Sequence, residues 1–133
     1  MAFKVDGNKL IYRNDSELLQ LEPWGENSLR IRGTKTASIS QEPWALLDDQ
    51  VPCTAQIKVN GKTASITNGK ITASFNEFGW LTYYNQKGEV LLEERWRVNN
   101  GGAKTSPLAI CGREYKPLIG SSDYKITLRF EGQ

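Results

Sequence analysis

Short segments in which hydrophobic and polar residues alternate recur along the chain, separated by residues that favour turns. The clearest series comprises residues 64–67, 71–75, 80–84 and 90–92, and an Asn-Gly dipeptide at 68–69 separates the first two segments. Asn-Gly between alternating segments is a strong β-hairpin signal, because both central residues of the turn that it favours need a positive φ. The series therefore predicts an antiparallel meander whose first turn is centred on this dipeptide.

The same two-residue period appears on both sides of the meander. It predicts further strands at residues 3–5, 10–12, 19–22, 29–32, 56–59 and 125–130. No segment has a sustained helical period, and residues 16–21 and 44–49 could each form at most one turn of helix. Two stretches, 34–52 and 98–122, have no periodic pattern. Eight or more short strands of this kind predict an all-β, antiparallel sandwich or barrel.

Length and composition predict a single globular domain. The chain has 133 residues, of which 38% are hydrophobic and 24% are charged, as in ordinary folded proteins. The net charge of +2 and the pI of about 8.5 are too mildly basic to indicate a nucleic-acid partner. The N-terminus lacks the apolar core of a signal peptide, and no apolar segment is long enough to span a membrane. We therefore expect a cytoplasmic protein without a membrane partner.

The residue types that are absent exclude several chemistries. The chain contains no histidine, which excludes Ser-His-Asp and Cys-His catalysis and any histidine metal site. Cys53 and Cys111 do not have the spacing of a zinc motif, and they could be two buried thiols or one disulfide. No glycine-rich loop has phosphate-binding spacing. The sequence therefore predicts neither a metal nor a cofactor.

Two pairs of neighbouring carboxylates raise the question of a hydrolase. Asp48 and Asp49 lie in an unpatterned stretch, whereas Glu93 and Glu94 end a predicted strand. A glycosidase needs two carboxyl groups about 5–9.5 Å apart across a cleft. Glu93 and Glu94 cannot be such a pair, because neighbours on a strand point to opposite faces. Asp48 and Asp49 could act only with distant partners, so we interpret all four as solvated surface charges and assign no catalytic residue.

Aromatic and basic side chains suggest alternatives based on binding. Trp80 follows a turn and precedes an apolar strand residue, which favours the core, whereas Trp24 and Trp44 each follow a proline in irregular segments. Trp24, Trp44 and Trp96 could stack on a sugar ring, although an interface is the simpler interpretation. The basic stripe Arg30, Arg32 and Lys35 is typical of a solvated strand face.

Four segments follow the pattern of a known enzyme family. Residues 66–71 and 75–81 form a series of strand, Asn-Gly, strand, acidic-x-Gly turn and strand, and residues 85–94 continue it with a Leu-Leu strand. Residues 124–130 form a closing strand. In these features the chain resembles the N-terminal β-sandwich domain of glycoside hydrolase family 31, the α-glucosidase and α-xylosidase family.

This resemblance implies a galactose-mutarotase-like sandwich that packs against a (β/α)₈ barrel, which supplies the two catalytic aspartates. The expectation is that residues 1–133 are one domain of a larger α-glycosidase and that the chain stops before the barrel. Its partner would be that barrel, which it would brace while helping to shape the substrate entrance. Residues 98–122 are the candidate docking segment, with the apolar side chains Leu108, Ile110, Leu118 and Ile119. Mutarotase activity itself is excluded, because the related enzymes use histidines.

Two alternatives stay open at this point. The first is a free-standing carbohydrate-binding module that uses Trp24, Trp44 or Trp96 on its surface. The second is an OB-like protein that binds single-stranded nucleic acid through Arg30 and Arg32, although the mild net charge disfavours it.

Overall fold

The computed structural model describes residues 1–15, 17–39, 54–94 and 113–132. Every regular element in these ranges is a β-strand, and all strand pairs are antiparallel. The strands are β1 (Ala2–Asp6), β2 (Lys9–Asn14), β3 (Glu17–Pro23), β4 (Leu29–Thr34), β5 (Gln56–Asn60), β6 (Thr63–Asn68), β7 (Ile71–Phe75), β8 (Leu81–Tyr84), β9 (Val90–Glu94), β10 (Arg113–Pro117), β11 (Tyr124–Leu128) and β12 (Phe130–Gly132). The predicted all-β fold is confirmed.

The strands are arranged in three sheets. One sheet has four strands in the order β1-β2-β3-β4, and a second has six in the order β12-β9-β8-β7-β6-β5. The third is the hairpin β10-β11. The predicted meander is the β6-β7-β8-β9 part of the six-stranded sheet, so local alternation of residues was sufficient to locate it.

The hydrophobic core fills the space between the two larger sheets, as the β-sandwich prediction requires. Alternate residues of each sheet point inward and form one cluster of buried side chains: Leu10, Tyr12, Leu19, Leu21, Ala64, Ile66, Ala73, Phe75, Leu81 and Tyr83. Two aromatic rings from opposite sheets stack at its centre, with the centroids of Tyr12 and Phe75 4.9 Å apart. Burial of apolar side chains is the main favourable contribution to folding. Because the buried cluster draws residues from both sheets, neither sheet can bury its apolar face without the other.

The first turn of the meander differs from the prediction by one residue. Asn68 pairs with Ile71 as the last residue of β6, so the two turn residues are Gly69 and Lys70. Of these only Gly69 has a positive φ, +60°, which is the pattern of a type II′ turn. The Asn68 side chain is buried and donates hydrogen bonds to the carbonyls of Gly25 (2.9 Å) and Ser28 (2.7 Å). Asn68 therefore ties the two large sheets together rather than shaping its own turn.

The closing strand predicted at 125–130 is divided between two sheets. β11 pairs with β10, whereas β12 pairs with β9 on the other side of Arg129. The β10-β11 hairpin packs on β4 at Gly33, where a Cβ atom would lie 2.6 Å from Ile126 Cδ1 and 2.8 Å from Tyr115 Oη. β10 was not predicted, because its five residues alternate only weakly and end in a proline.

Several sequence predictions lie outside the described residues. They include Cys53, Cys111 and most of the two unpatterned stretches. Within the described ranges, the structure contains no helix that is long and apolar enough to cross a membrane.

The connections before and after β8 are two copies of the same turn. Asn76 Oδ1 accepts hydrogen bonds from the backbone N–H groups of Phe78 (2.9 Å) and Trp80 (3.0 Å). In the second copy, Asn85 Oδ1 accepts equivalent bonds from Lys87 (2.9 Å) and Glu89 (3.0 Å). We call residues 76–80 the aromatic turn and residues 85–89 the polar turn.

The fourth residue of each turn is a glycine in the left-handed region. Comparing the two glycines therefore tests how tightly the aromatic turn packs against the core. Gly79 has φ +80° and Gly88 has φ +81°. A Cβ atom on Gly88 would meet nothing within 4 Å, whereas one on Gly79 would collide with the Tyr12 hydroxyl and lie 2.6 Å from Tyr12 Cζ. The two positions thus share the same backbone strain but differ in packing.

We predict that Gly88→Ala lowers the free energy of unfolding by about 1–2 kcal/mol, the usual cost of an L-residue in this conformation. Gly79→Ala should lose that amount plus about 1–3 kcal/mol for overpacking against Tyr12. Urea unfolding of both variants measures the difference. Equal losses for the two variants would contradict the packing shown here.

Candidate functional site

Arg113 forms a buried ion cluster at one end of the sandwich. Its guanidinium donates to Glu94 from Nε (2.5 Å to Oε1) and Nη2 (2.7 Å to Oε2), and from Nη1 to Glu17 Oε1 (2.9 Å). Nη2 also donates to the carbonyl of Gly79 at 2.5 Å. The Arg113 side chain is only 3% exposed. We call Arg113, Glu94 and Glu17 the Arg113 cluster.

The remaining contacts of the cluster satisfy its buried groups. Glu94 Oε2 accepts a hydrogen bond from the backbone N–H of Leu81 at 2.8 Å. The guanidinium carbon lies 5.5 Å from the ring centroid of Tyr12 and 5.9 Å from that of Phe75, close enough for cation–π attraction. A buried charge is tolerated only with such partners. The charged groups of the Arg113 cluster are therefore stabilised in their buried position by hydrogen bonds and opposite charges.

Electrostatics keep the Arg113 guanidinium charged. Burial by itself lowers the pKa of Arg113, but the charge and hydrogen bonds of Glu94, together with the charge of Glu17, outweigh it and raise the pKa above its usual value. Burial, with the nearby Glu94 charge, also raises the pKa of the Tyr83 phenol. An arginine that cannot lose its proton and a carboxylate already accepting several hydrogen bonds are poor acid–base catalysts. The cluster therefore has a structural role.

The cluster connects four separate parts of the chain. Glu17 begins β3, Glu94 ends β9, Arg113 begins β10, and the Gly79 carbonyl belongs to the aromatic turn. Glu94 and Arg113 are also the described residues on either side of positions 95–112. Their ion pair holds the end of β9 against the start of β10.

This position of Glu94 corrects the interpretation of all four acidic residues as solvated surface charges. Glu94 is buried, whereas its neighbour Glu93 is exposed, which confirms that the two point to opposite faces. Asp48 and Asp49 lie outside the described residues. No local pattern in the sequence distinguishes Glu94 from Glu93, because the partners of Glu94 come from distant positions.

The aromatic turn presents two rings at the surface. Phe78 is 63% exposed, and Trp80 beside it is half-buried, with the ring centroids 5.4 Å apart and tilted by 36°. The prediction that Trp80 belongs to the core is therefore wrong, because the inward position is taken by Leu81. Trp24 is half-buried beneath Arg30, whose guanidinium carbon lies 4.6 Å from the ring centroid. Trp44 and Trp96 lie outside the described residues.

The candidate docking segment 98–122 is described only from residue 113 onward. Leu108 and Ile110 therefore lie outside the described residues. The tip of the β10-β11 hairpin exposes Leu118 partly and Ile119 completely. Two apolar side chains of the predicted segment are thus on the surface, while Arg113 at its base is buried.

The basic stripe is not simply solvated. Glu22 on the central strand β3 pairs with Arg32 (3.1 Å), Arg30 (3.6 Å) and Lys9 (3.9 Å). The Nζ atom of Lys35 lies 4.8 Å from the ring centroid of Tyr115. Pairing with Glu22 reduces the charge that this face could offer to a nucleic acid.

A shallow groove lies between β4, the segment after it and the start of β11. Its volume is about 680 Å³, and its lining includes Arg32, Thr34, Asp123, Tyr124 and Ile126. Neither Trp24 nor Trp80, the two tryptophans among the described residues, lines it. Within the described ranges, no three Cys, Asp or Glu side chains are arranged to hold a metal ion.

Comparison with known proteins agrees with this architecture. No family model matches the chain. A protein of Pseudescherichia vulneris, described as an uncharacterized family 31 glucosidase ORF2, is 40% identical over 136 residues, which cover 95% of this chain and 25% of that protein. The crystal structure of a GH31 alpha-xylosidase from a soil metagenome, complexed with xylose, superimposes with a TM-score of 0.80 at 39% identity. The match covers the whole of this chain and 21% of that one.

These matches confirm the resemblance to the β-sandwich domain of glycoside hydrolase family 31. The chain spans about a quarter of the length of the curated relative. It therefore corresponds to a fragment of a family 31 glycosidase.

The Arg113 cluster makes a direct prediction about stability. Arg113→Met should lower the free energy of unfolding by about 3–5 kcal/mol, because it leaves two buried carboxylates without their counter-ion. Arg129→Met is the matched control, since it removes an exposed arginine that pairs with Glu114 and should change stability little. Urea unfolding of the two variants tests this. Similar losses for Arg113 and Arg129 would show that the buried cluster does not hold the fold.

Proposed function

We propose that this chain is the non-catalytic N-terminal domain of a retaining α-glycosidase of the α-glucosidase or α-xylosidase type. It braces the catalytic barrel of the same polypeptide and helps to shape the substrate entrance. The observation that carries this proposal is the coverage of the matches, which is nearly complete for this chain and only 21–25% for the two larger proteins. We call the polypeptide encoded by the whole reading frame the parent.

The described structure supports a bracing role in two ways. The buried carboxylates among the described residues are all paired with cations, Glu94 and Glu17 with Arg113 and Glu22 with Arg32, Arg30 and Lys9, and this pairing makes them poor acid–base groups. Its surface carries exposed apolar side chains at the hairpin tip, Leu118 and Ile119, and at the aromatic turn, Phe78. Apolar residues of this kind mark contact surfaces when they cluster.

The coding sequence provides the first test of this proposal. A reading frame that continues beyond Gln133 into a (β/α)₈ barrel with paired catalytic aspartates is the expected result. A stop codon directly after Gln133 would contradict the proposal and favour a free-standing module.

We predict that this chain alone does not hydrolyse α-glucosides or α-xylosides, whereas the parent does. Release of p-nitrophenol from the corresponding aryl glycosides measures both. Turnover by the 133-residue chain that is abolished by Asp48→Asn or Asp49→Asn would overturn the non-catalytic assignment, because a carboxylate of this chain would then be catalytic.

The alternative of a carbohydrate-binding module is favoured by the groove, where Asp123, Arg32 and Tyr124 offer hydrogen-bonding groups and an aromatic ring. If the chain is a bracing domain, we expect no saturable change in its tryptophan fluorescence when xylo- or gluco-oligosaccharides are added. Because neither of the described tryptophans, Trp24 and Trp80, lines the groove, saturation-transfer NMR on the ligand is measured in parallel. Saturable binding that Asp123→Ala abolishes would support the module instead.

A further inference from the structure

We propose that the polypeptide that follows Gln133 in the parent packs on the inner face of the six-stranded sheet at Leu92 and completes the hydrophobic core there. This inference rests on the proposed function and deepens it by naming the surface that the continuing chain covers. We call Leu92 and its inner-face neighbours Tyr83 and Phe130 the open edge.

Leu92 belongs to a row of inward-facing residues that is buried elsewhere. The strand registers place Ile66, Ala73, Tyr83 and Leu92 side by side on β6, β7, β8 and β9. The first three have exposed fractions of 0%, 0% and 6%, whereas Leu92 is 40% exposed. Directly opposed residues of neighbouring strands lie on the same face of a sheet. The Leu92 side chain therefore faces the core side and is still accessible to water.

The four-stranded sheet is too narrow to cover this edge. It has two strands fewer than the sheet that it faces, which corresponds to about 10 Å of width at normal strand spacing. The β10-β11 hairpin compensates at one end of β9, where Arg113 pairs with Glu94. Two residues earlier on the same strand, Leu92 is left exposed.

The hydroxyl group of Tyr83 indicates the same gap in the packing. It is buried, and no described residue is its hydrogen-bond partner. The Tyr83 ring packs edge-on against Phe130, with the ring centroids 5.6 Å apart, so its neighbour on β12 is apolar. Buried polar groups nearly always have a partner in a complete fold. The row that contains Tyr83 and Leu92 therefore lacks part of its surroundings.

The direction of β12 brings the continuing chain to this edge. β12 runs antiparallel to β9, with Phe130 opposite Glu94 at its start and Gly132 opposite Leu92 at its end. The two relatives are much longer than this chain, which covers only 21–25% of their length. A parent that continues past Gly132 leaves the sheet beside Leu92, so no long connection is needed to reach the open edge.

The opposite edge of the same sheet provides a matched control. Val59 on β5 is paired with Ala64, a member of the buried cluster, and so it also faces inward. Its exposed fraction of 45% is close to that of Leu92. However, β5 lies four strands from β9, a distance of about 19 Å. The two residues thus match in chemistry, orientation and exposure, and they differ in their distance from the end of β12.

Hydroxyl-radical footprinting with residue-level mass spectrometry tests the proposal in unmodified protein. The 133-residue chain and the intact parent are oxidised under the same conditions, with Val59 as the internal reference. We expect the oxidation rate of Leu92 to fall several-fold in the parent, while that of Val59 stays the same. Equal oxidation of Leu92 in the two proteins, or an equal fall at Val59, would overturn the proposal.

Two matched variants test the same contact through stability. Leu92→Lys should lower the melting temperature of this domain by several degrees more in the parent than in the 133-residue chain, because it places a charge under the covering segment. Val59→Lys should have the same effect in both proteins. A parent that tolerates Leu92→Lys as well as the 133-residue chain does would contradict the contact.

Photo-crosslinking identifies the segment that covers the open edge. A photoreactive amino acid replaces Leu92 in the parent, and mass spectrometry locates the cross-linked residue. We expect it to lie in the same polypeptide, within roughly the first 20 residues after Gln133, the length of two strands and a turn. Cross-links to positions 95–112, to a more distant part of the parent or to a second copy would each overturn the proposal.

A glycosidase assay on the parent separates this inference from the proposed function. An active parent in which Leu92 is as exposed as in the 133-residue chain refutes the covering segment alone. An inactive parent in which Leu92 is protected refutes the proposed function alone.

Discussion

The rest of the structure depends on the buried pairing of Arg113 with Glu94 and Glu17. One guanidinium joins the four-stranded sheet, the six-stranded sheet, the β10-β11 hairpin and the aromatic turn. At the opposite end of the six-stranded sheet, Asn68 reaches from β6 to the turn between β3 and β4. The apolar core between the sheets has little directional preference. The two polar connections therefore fix how the sheets are aligned.

This arrangement separates the residues that hold the sandwich together from those that face solvent, since Arg113 is buried whereas Phe78 and Ile119 are exposed. Its charged interior holds loops and turns in place, while its surface keeps apolar groups that the core does not need. The contrast between the aromatic turn and the polar turn is the clearest instance. The same backbone is used twice, once with Phe78 and Trp80 and once with Lys87 and Glu89. The two turns differ in their support, since Gly79 packs on Tyr12 whereas Gly88 has open space around it.

Sequence patterns predicted the parts of the fold that are local. Alternation over a few residues located the meander, because it reports which side of one strand is buried. It could not find the Arg113 cluster, since Glu17 and Arg113 are 96 positions apart and neither has a distinctive neighbourhood. It also misplaced the turn at Asn68, where a contact with the other sheet decided the register. The repeated Asn-x-x-Gly spacing at 76–79 and 85–88 was visible in the sequence, and it corresponds to two turns with the same hydrogen bonds.

The central claim is that the Arg113 cluster acts as one connected structural unit. A double-mutant cycle with Arg113→Met, Glu94→Gln and the double variant, measured by urea unfolding of the 133-residue chain, tests it most directly. The account predicts that the two changes are strongly non-additive, with a coupling free energy of about 1–3 kcal/mol, as for buried partners in one network. Losses that add to within about 0.5 kcal/mol, as independent sites do, would contradict it.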